Sequence, residues 1–160
     1  DWSSDVCSSD LESDQAYFIA NACARKVRAE FPEVSVVIGT YSTRSDPPSF
    51  PLEPNLMVHH CSWRGGKKTA RLSEGEHIAV WGAKCNPRPM AKYDYWSIVD
   101  WTHEQPEFDW FQWTKKLRDY YHSYNIKAFF AESTPGGGAM GIGQYLASHL
   151  MWDKIGRAHV

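Results

Sequence analysis

Four short segments rich in apolar and β-branched residues recur along the chain, and helix-like segments lie between most of them. The four are VSVVIGTYS (34–42), LMVHHCS (56–62), YDYWSIVDW (93–101) and IKAFFAES (126–133). The first is almost uncharged, as is typical of a strand that is covered on both faces. Strands that alternate with helices indicate parallel βαβ units. The sequence therefore predicts one α/β domain with about four parallel strands, in the element order α-β-β-α-β-α-β-α.

The helix-like segments carry apolar residues at helical spacing. The first runs from Ser13 to Phe31, where Pro32 follows, and RLSEGEHIAVWGAKC (71–85) predicts the second. A third begins at Asp109 and is closed by Asn125, and a fourth follows the glycines of TPGGG. The predicted inward stripe of the first helix is Ile19, Cys23, Val27 and Phe31, and that of the third is Trp110, Trp113, Leu117, Tyr120, Tyr121 and Tyr124.

The two ends of the chain are related to each other at the nucleotide level. DVCSSDL (5–11) and KIGRAHV (154–160) can be encoded by strings that are reverse complements. Two unrelated heptapeptides almost never have this property, and the shared string looks like the adapter oligonucleotide of short-read sequencing libraries. We therefore expect residues 1–11 and 154–160 to be translated adapter that contributes little to the core, with residues 12–153 forming the α/β domain of a gene fragment.

Charge and composition argue against several classes of function. A formal net charge of −2, with scattered lysines and arginines, gives no basic surface for nucleic acid. No stretch reaches the roughly 18 apolar residues of a membrane helix. The cysteines outside the end segment, Cys23, Cys61 and Cys85, are odd in number and lack CxxC spacing, which supports neither a disulfide framework nor structural zinc. We expect no metal and no cofactor.

Four segments together resemble the domain of unknown function 4838 family. They are PPSFPLEPNLMVHHCSW (47–63), YWSIVDW (95–101), IKAFFAES (126–133) and YLASHLMWD (145–153). Domains of this family occur in bacterial proteins similar to glycoside hydrolases. The resemblance implies a partial (β/α)8 TIM-type barrel of which this chain is the C-terminal half, a carbohydrate ligand, and an extracytoplasmic or secreted bacterial protein. A full barrel takes about 250 residues, so the rest of the barrel would be missing from this chain.

Two acidic residues end predicted strands, where the chemistry of α/β barrels gathers. Asp100 and Glu132 both lie at the edge of apolar runs, where burial can separate their pKa values into acid and base roles. If their strands pair directly, strand spacing places the carboxyl groups within about 5 to 10 Å of each other. That interval covers both retaining and inverting glycosidases. We therefore interpret Glu132 and Asp100 as the candidate catalytic carboxylates.

Other residues at predicted strand ends are candidates for binding the substrate. Aromatic rings at Tyr41, Trp63 and Trp101 can stack on pyranose faces, and His59 and His103 can line the site and bond sugar hydroxyls. Gly137 lies in a glycine-rich loop that would let a ligand approach backbone N–H groups. His59 and His60 could suggest a metal, but successive strand side chains point to opposite faces, so we expect no metal there.

Two alternatives to a glycoside hydrolase remain open. The same strand ends could form a non-catalytic carbohydrate-binding barrel. A nucleotide-dependent enzyme is the second alternative, because Gly136, Gly138 and Gly141 satisfy GxGxxG between a predicted strand and a helix. No clear strand with an acid about twenty residues later completes that fingerprint, which disfavours it.

Overall fold

The computed structural model of the chain describes residues 9–61, 68–95 and 110–132, together with positions 145, 148, 149 and 152. The helices in this part are α1 (Ser9–Glu30), α2 (Glu74–Cys85) and α3 (Trp110–Ser123). The strands are β1 (Val36–Gly39), β2 (Leu56–Cys61), β3 (Met90–Tyr95) and β4 (Ile126–Glu132). They form one four-stranded parallel sheet in the order β1-β2-β3-β4. The prediction of an α/β fold with four parallel strands is confirmed.

The chain divides into two compact units, Asp1–Ala91 and Lys92–Val160. The first unit contains α1, β1, β2, α2 and the first residues of β3. The second contains the remainder of β3, α3 and β4.

The pairing of β1 with β2 places the two strand ends side by side. Val36 pairs with Leu56 at one end, and Gly39 pairs with His59 at the other. Leu56, Val58 and His60 alternate along β2 and are all buried, on the face against which α1 and α2 pack. The opposite face is less covered in this unit, since Val37 is 50% exposed and His59 is half-buried.

The inward face of α1 differs from the predicted stripe. Ile19 and Phe31 are 62% and 53% exposed, and Cys23 is exposed as well. The buried residues of the helix are Ser13, Tyr17, Asn21 and Ala24. The prediction was wrong because this helix covers the segment between β1 and β2, whose backbone carbonyls accept hydrogen bonds from polar side chains that apolar ones could not replace.

Helix α2 begins with a capping box. The Ser73 hydroxyl accepts a hydrogen bond from the Glu76 backbone N–H, and the Glu76 carboxylate accepts one from the Ser73 backbone N–H at 2.8 Å. The Ser73 hydroxyl also donates to the Glu76 carboxylate at 2.7 Å, and this bond, together with the one from the Ser73 backbone N–H, holds the pKa of the Glu76 carboxyl below its usual value of 4.5. The helix therefore begins three residues after the predicted start at Arg71. Its buried face consists of His77, Ile78, Trp81 and Cys85.

The second unit has its own apolar packing. Leu117 and Tyr120 of α3 are buried, as predicted, and the Tyr120 ring lies 6.3 Å from Phe129 of β4. On β3, Tyr93 stacks on Phe130 with ring centroids 5.0 Å apart. Asn125 has a φ of 53°, the left-handed conformation that ends the helix.

The bounds of β3 and α1 differ from their predicted bounds, and both elements adjoin residues that are not described. Strand β3 begins at Met90, before the predicted start at Tyr93, and residues 96–109 lie outside the described part. Helix α1 extends into residues 9–11, which we assign to adapter, although the side chains of residues 1–11 are not described. The adapter assignment stays a prediction.

Candidate functional site

A tight turn follows β1 at its carboxyl end, and it carries one of the predicted binding residues. Parallel pairing continues one residue past the strand, because the Thr40 N–H donates to the His59 carbonyl at 2.9 Å. The Thr40 hydroxyl, which is buried, accepts the Cys61 N–H at 3.0 Å. These bonds fasten the ends of β1 and β2 together. Tyr41 comes next and is 40% exposed.

The turn has an unusual backbone conformation at Ser42. Its φ is 55°, in the left-handed region that non-glycine residues rarely adopt. Three hydrogen bonds close the turn. The Arg44 N–H donates to the Tyr41 carbonyl at 3.1 Å. The N–H and the hydroxyl of Ser45 both donate to the Ser42 carbonyl, at 3.1 and 2.7 Å. Such conformations persist where the surroundings hold them, and they concentrate at functional sites.

Helix α2 holds the turn through the backbone carbonyl of Ser45. That oxygen lies 2.8 Å from Nε2 of His77 and 2.9 Å from Nε1 of Trp81. His77 is itself bonded to His60 of β2, with His77 Nδ1 2.8 Å from His60 Nε2. All three side chains are fully buried. The network therefore links the end of β2, the first turns of α2 and the turn after β1.

The chemistry of the acceptor fixes the hydrogens in this network. A carbonyl oxygen can only accept, so His77 Nε2 carries a hydrogen, and in a neutral His77 ring Nδ1 is then the acceptor. His60 must then donate from its Nε2. The Trp81 indole nitrogen also lies 3.2 Å from His77 Nε2, but both atoms carry hydrogen, so that approach is a contact and the indole bond goes to Ser45. With both imidazoles neutral, both are Nε2–H tautomers in this arrangement.

The turn is also held on its other side by Asp46. This buried carboxylate accepts the N–H and hydroxyl of Thr69 and the N–H of Lys68. From α1, Ser13 donates to the Asp46 carbonyl and Tyr17 donates to the Arg44 carbonyl. Burial raises the pKa of the Tyr17 phenol, so it stays protonated and able to donate. Two helices and the segment before α2 therefore fix a turn of six residues, 41–46.

The predicted binding residue His59 lies near the carboxyl end of β2, two residues before Cys61. It pairs with Gly39, two residues before Tyr41, and its side chain alternates with that of His60. His60 faces α2 and His59 lies on the opposite, less covered face, and the sequence had predicted that the two side chains point to opposite faces. Partial burial lowers the pKa of His59 below its usual value of 6.5. Its imidazole is therefore neutral at pH 7 and can both donate and accept.

The remaining predicted site residues are less fully described. Glu132 is the last residue of β4, as predicted, but its side chain lies outside the described part of the chain. Asp100, Trp101, His103, Gly137 and Trp63 lie outside the described residues. The glycines of the GxGxxG match lie outside them too.

The sequence prediction missed the residues that support the turn. His77 and Trp81 lie four residues apart on the face that also carries Ile78 and Cys85, which is a pattern typical of burial. The sequence SEGE signals a capping box at Ser73 and would have placed His77 in the first turns of α2. No sequence pattern indicates the partners of His77, because His60 and the Ser45 carbonyl are distant along the chain.

Within the described residues, no group of three or more His, Cys, Asp or Glu side chains could hold a metal ion. The helices described there are not long and apolar enough to cross a membrane. Comparison of the chain with protein-family models, with curated proteins and with solved structures found no match.

Proposed function

We propose that this chain is part of a carbohydrate-active, glycoside-hydrolase-like α/β protein, and that the turn after β1 is part of its glycan-binding site. The observation that carries the proposal is the turn 41–46. It holds a left-handed non-glycine residue, it is anchored by buried side chains from two helices, and it presents Tyr41 at the carboxyl end of a parallel strand. Open parallel sheets and barrels bind their ligands at that end.

The chemistry of Tyr41 and His59 suits a sugar. An aromatic ring can stack on the C–H face of a pyranose, and a neutral imidazole such as that of His59 can form a hydrogen bond with a sugar hydroxyl. The turn's own carboxylate, Asp46, is buried and bonded to Thr69 and Lys68, so it is not placed to act on a substrate. This favours a binding role for the turn.

The catalytic part of the proposal concerns residues elsewhere in the chain. Glu132, at the end of β4, and Asp100 are the candidate general acid, base or nucleophile for glycoside hydrolysis, with Trp101, His103 and Gly137 as further substrate contacts. A non-catalytic carbohydrate-binding barrel is the second candidate. It is favoured by the buried state of Asp46, because the turn offers stacking and hydrogen bonding while its one carboxylate is buried and bonded to Thr69 and Lys68.

The architecture we propose is a partial (β/α)8 TIM-type barrel with further βα units in the parent protein. Two features of the first unit support it. Val37, on the end strand β1, is 50% exposed. A groove of about 410 Å³ beside α1 is lined by Phe18, Ile19 and Phe50, with Asp14 and Gln15 at its polar part. A neighbouring helix and strand would cover both features.

Isothermal titration of the chain with cellohexaose, xylohexaose, mannohexaose and chitohexaose tests glycan binding. We expect one of these to bind, with Tyr41→Ala abolishing the signal and Tyr41→Phe, which keeps the ring, retaining it. Binding that is unchanged in Tyr41→Ala would contradict a role for the turn.

Release of 4-nitrophenol from a panel of 4-nitrophenyl glycosides tests the catalytic part. We expect turnover in the parent protein, with loss of about 10³-fold or more in Glu132→Gln because a carboxylate that reacts with the substrate cannot be replaced by an amide. Glycan binding without turnover in the unmodified parent would support the non-catalytic barrel instead.

A further inference from the structure

We propose that His77 is a positioning residue for the glycan site: its Nε2–H bond to the Ser45 carbonyl holds the turn 41–46 and thereby fixes the ring of Tyr41. The identity of the ligand rests on the proposed function. The link between His77 and the turn is a separate claim, which can be tested without any ligand.

The hydrogen bonds from His60 to His77 and from His77 to Ser45 end on a backbone carbonyl oxygen, and this acceptor indicates their role. His60 donates to His77, and His77 donates to Ser45, with both distances 2.8 Å. A proton relay needs a group at its end that takes up a proton, and a backbone carbonyl oxygen accepts a hydrogen bond without doing so. The two histidines therefore orient the turn and do not transfer a proton through it.

Ser45 transmits this restraint to Tyr41 by local hydrogen bonds. The Ser45 N–H and hydroxyl both donate to the Ser42 carbonyl, and the next bond back joins the Arg44 N–H to the Tyr41 carbonyl. Ser42 is the residue with a φ of 55°. When Ser45 is less well held, Ser42 can relax to the negative φ that a serine prefers, and that rotation would turn the preceding residue, Tyr41, away from its present direction.

Two substitutions separate the two bonds of His77. The amide nitrogen of Gln lies near the position of imidazole Nε2, so His77→Gln retains a donor to Ser45 and loses the acceptor for His60. The amide oxygen of Asn lies near the position of Nδ1, so His77→Asn retains the acceptor for His60 and loses the donor to Ser45. Each variant leaves one of the two hydrogen bonds unmade, so a purely structural role predicts similar effects for both.

The first measurement is amide hydrogen exchange of Arg44 and Ser45. We expect exchange about tenfold faster in His77→Asn and within about twofold of the unmodified chain in His77→Gln, because one hydrogen bond corresponds to about a factor of ten. Trp81 still donates to Ser45 in both, so complete loss of protection is not expected. Equal acceleration in the two variants would overturn the proposal.

The second measurement is the affinity for whichever of the four hexasaccharides binds the unmodified chain. We expect His77→Asn to bind about tenfold more weakly and His77→Gln to bind within about twofold. If no hexasaccharide binds the unmodified chain while the exchange rates differ as expected, the proposed ligand is wrong and the positioning role of His77 stands. If both variants bind normally although exchange differs, the turn does not position Tyr41 for that ligand.

A third measurement needs no variant and applies even if a substitution prevents folding. Long-range ¹H–¹⁵N correlation spectra of the unmodified chain report which imidazole nitrogen carries hydrogen. We expect His77 to be protonated at Nε2 and unprotonated at Nδ1. A His77 ring protonated at Nδ1 alone would exclude the bond to Ser45 and with it the proposal.

Discussion

The carboxylate of Asp46 accepts two hydrogen bonds from Thr69, one from the backbone N–H at 2.9 Å and one from the hydroxyl at 2.7 Å. Both residues are buried, so removing the acceptor would leave the Thr69 donors in a site where water cannot replace it. We predict that Asp46→Ala destabilises the chain by about 3 kcal/mol in urea unfolding.

Asp46→Asn is the matched control for that substitution. Asparagine keeps one acceptor oxygen for Thr69. In the unmodified chain the Lys68 N–H donates to the second carboxylate oxygen at 3.2 Å, and in the variant the asparagine NH₂ group, which cannot accept, takes the place of that oxygen. We expect its cost to lie near 1 kcal/mol. If alanine and asparagine cost the same, the hydrogen bonds to Thr69 do not hold this segment.

Asn21 of α1 should matter more to stability than the ion pairs beside it. Its amide donates to the Pro51 carbonyl and accepts the Glu53 N–H, both at 2.9 Å, and its side chain is buried. Arg25 pairs with the Glu53 carboxylate at 2.9 Å, but its side chain is half exposed, where ion pairs contribute little. We predict a loss of about 2 kcal/mol for Asn21→Ala and about 0.5 kcal/mol for Arg25→Ala, from urea unfolding of both variants. The reverse ranking would mean that the ion pair, not the amide, fastens the segment.

The strands of the sheet could be predicted from the sequence, but the residues of α1 that pack against the segment between β1 and β2 could not. The strand-like segments overlap all four described strands, because apolar and β-branched runs such as that of IKAFFAES favour strands, although β3 begins before its predicted start. The inward face of α1 could not be predicted from its apolar stripe, since Ser13, Tyr17 and Asn21 are buried against backbone carbonyls of a segment about 30 residues later.

In the candidate site, likewise, some residues could be predicted from the sequence and the contacts that hold them could not. Tyr41 and His59 were predicted because strand ends can be located in a sequence and the carboxyl ends of parallel strands share one edge. The network of His60, His77 and the Ser45 carbonyl depends on distances between three segments, and one of its members is a main-chain atom that no residue type reveals. The left-handed Ser42 is likewise imposed by its anchors and carries no sequence signal such as glycine.

His59 should titrate below the usual histidine value and make the fold sensitive to acid. Burial lowers its pKa from 6.5, so the folded state binds this proton less readily than the unfolded state. The stability linked to His59 is therefore fully present above about pH 6.5 and is lost as the pH falls from there towards the folded-state pKa. NMR titration of the His59 ring gives that pKa directly.

His59→Gln is the control for the titration of His59. The unfolding free energy of this variant should depend less steeply on pH below about 6.5 than that of the unmodified chain, because the difference between the two profiles isolates this one group. A measured pKa at or above 6.5, or two parallel profiles, would be inconsistent with a desolvated His59.

Trp81 and His77 donate to the same oxygen, so their contributions to stability should not be additive. The Ser45 carbonyl lies 2.9 Å from the indole nitrogen and 2.8 Å from His77 Nε2. Trp81→Phe removes the indole N–H and keeps an aromatic ring beside Tyr17, whose ring centroid lies 5.2 Å from that of Trp81. In the unmodified chain His77 still donates to Ser45 after this change, and in His77→Asn neither side chain does. We therefore predict that Trp81→Phe costs about 1 kcal/mol more in the His77→Asn background than in the unmodified chain.

His77→Gln, which retains its donor, is the control background, and Trp81→Phe should cost as little there as in the unmodified chain. The loss of ring volume on Trp81→Phe is common to all three backgrounds, so it cancels from the comparison. Urea unfolding of the three pairs measures these differences, and equal costs in every background would mean that the two side chains do not share the Ser45 carbonyl in solution.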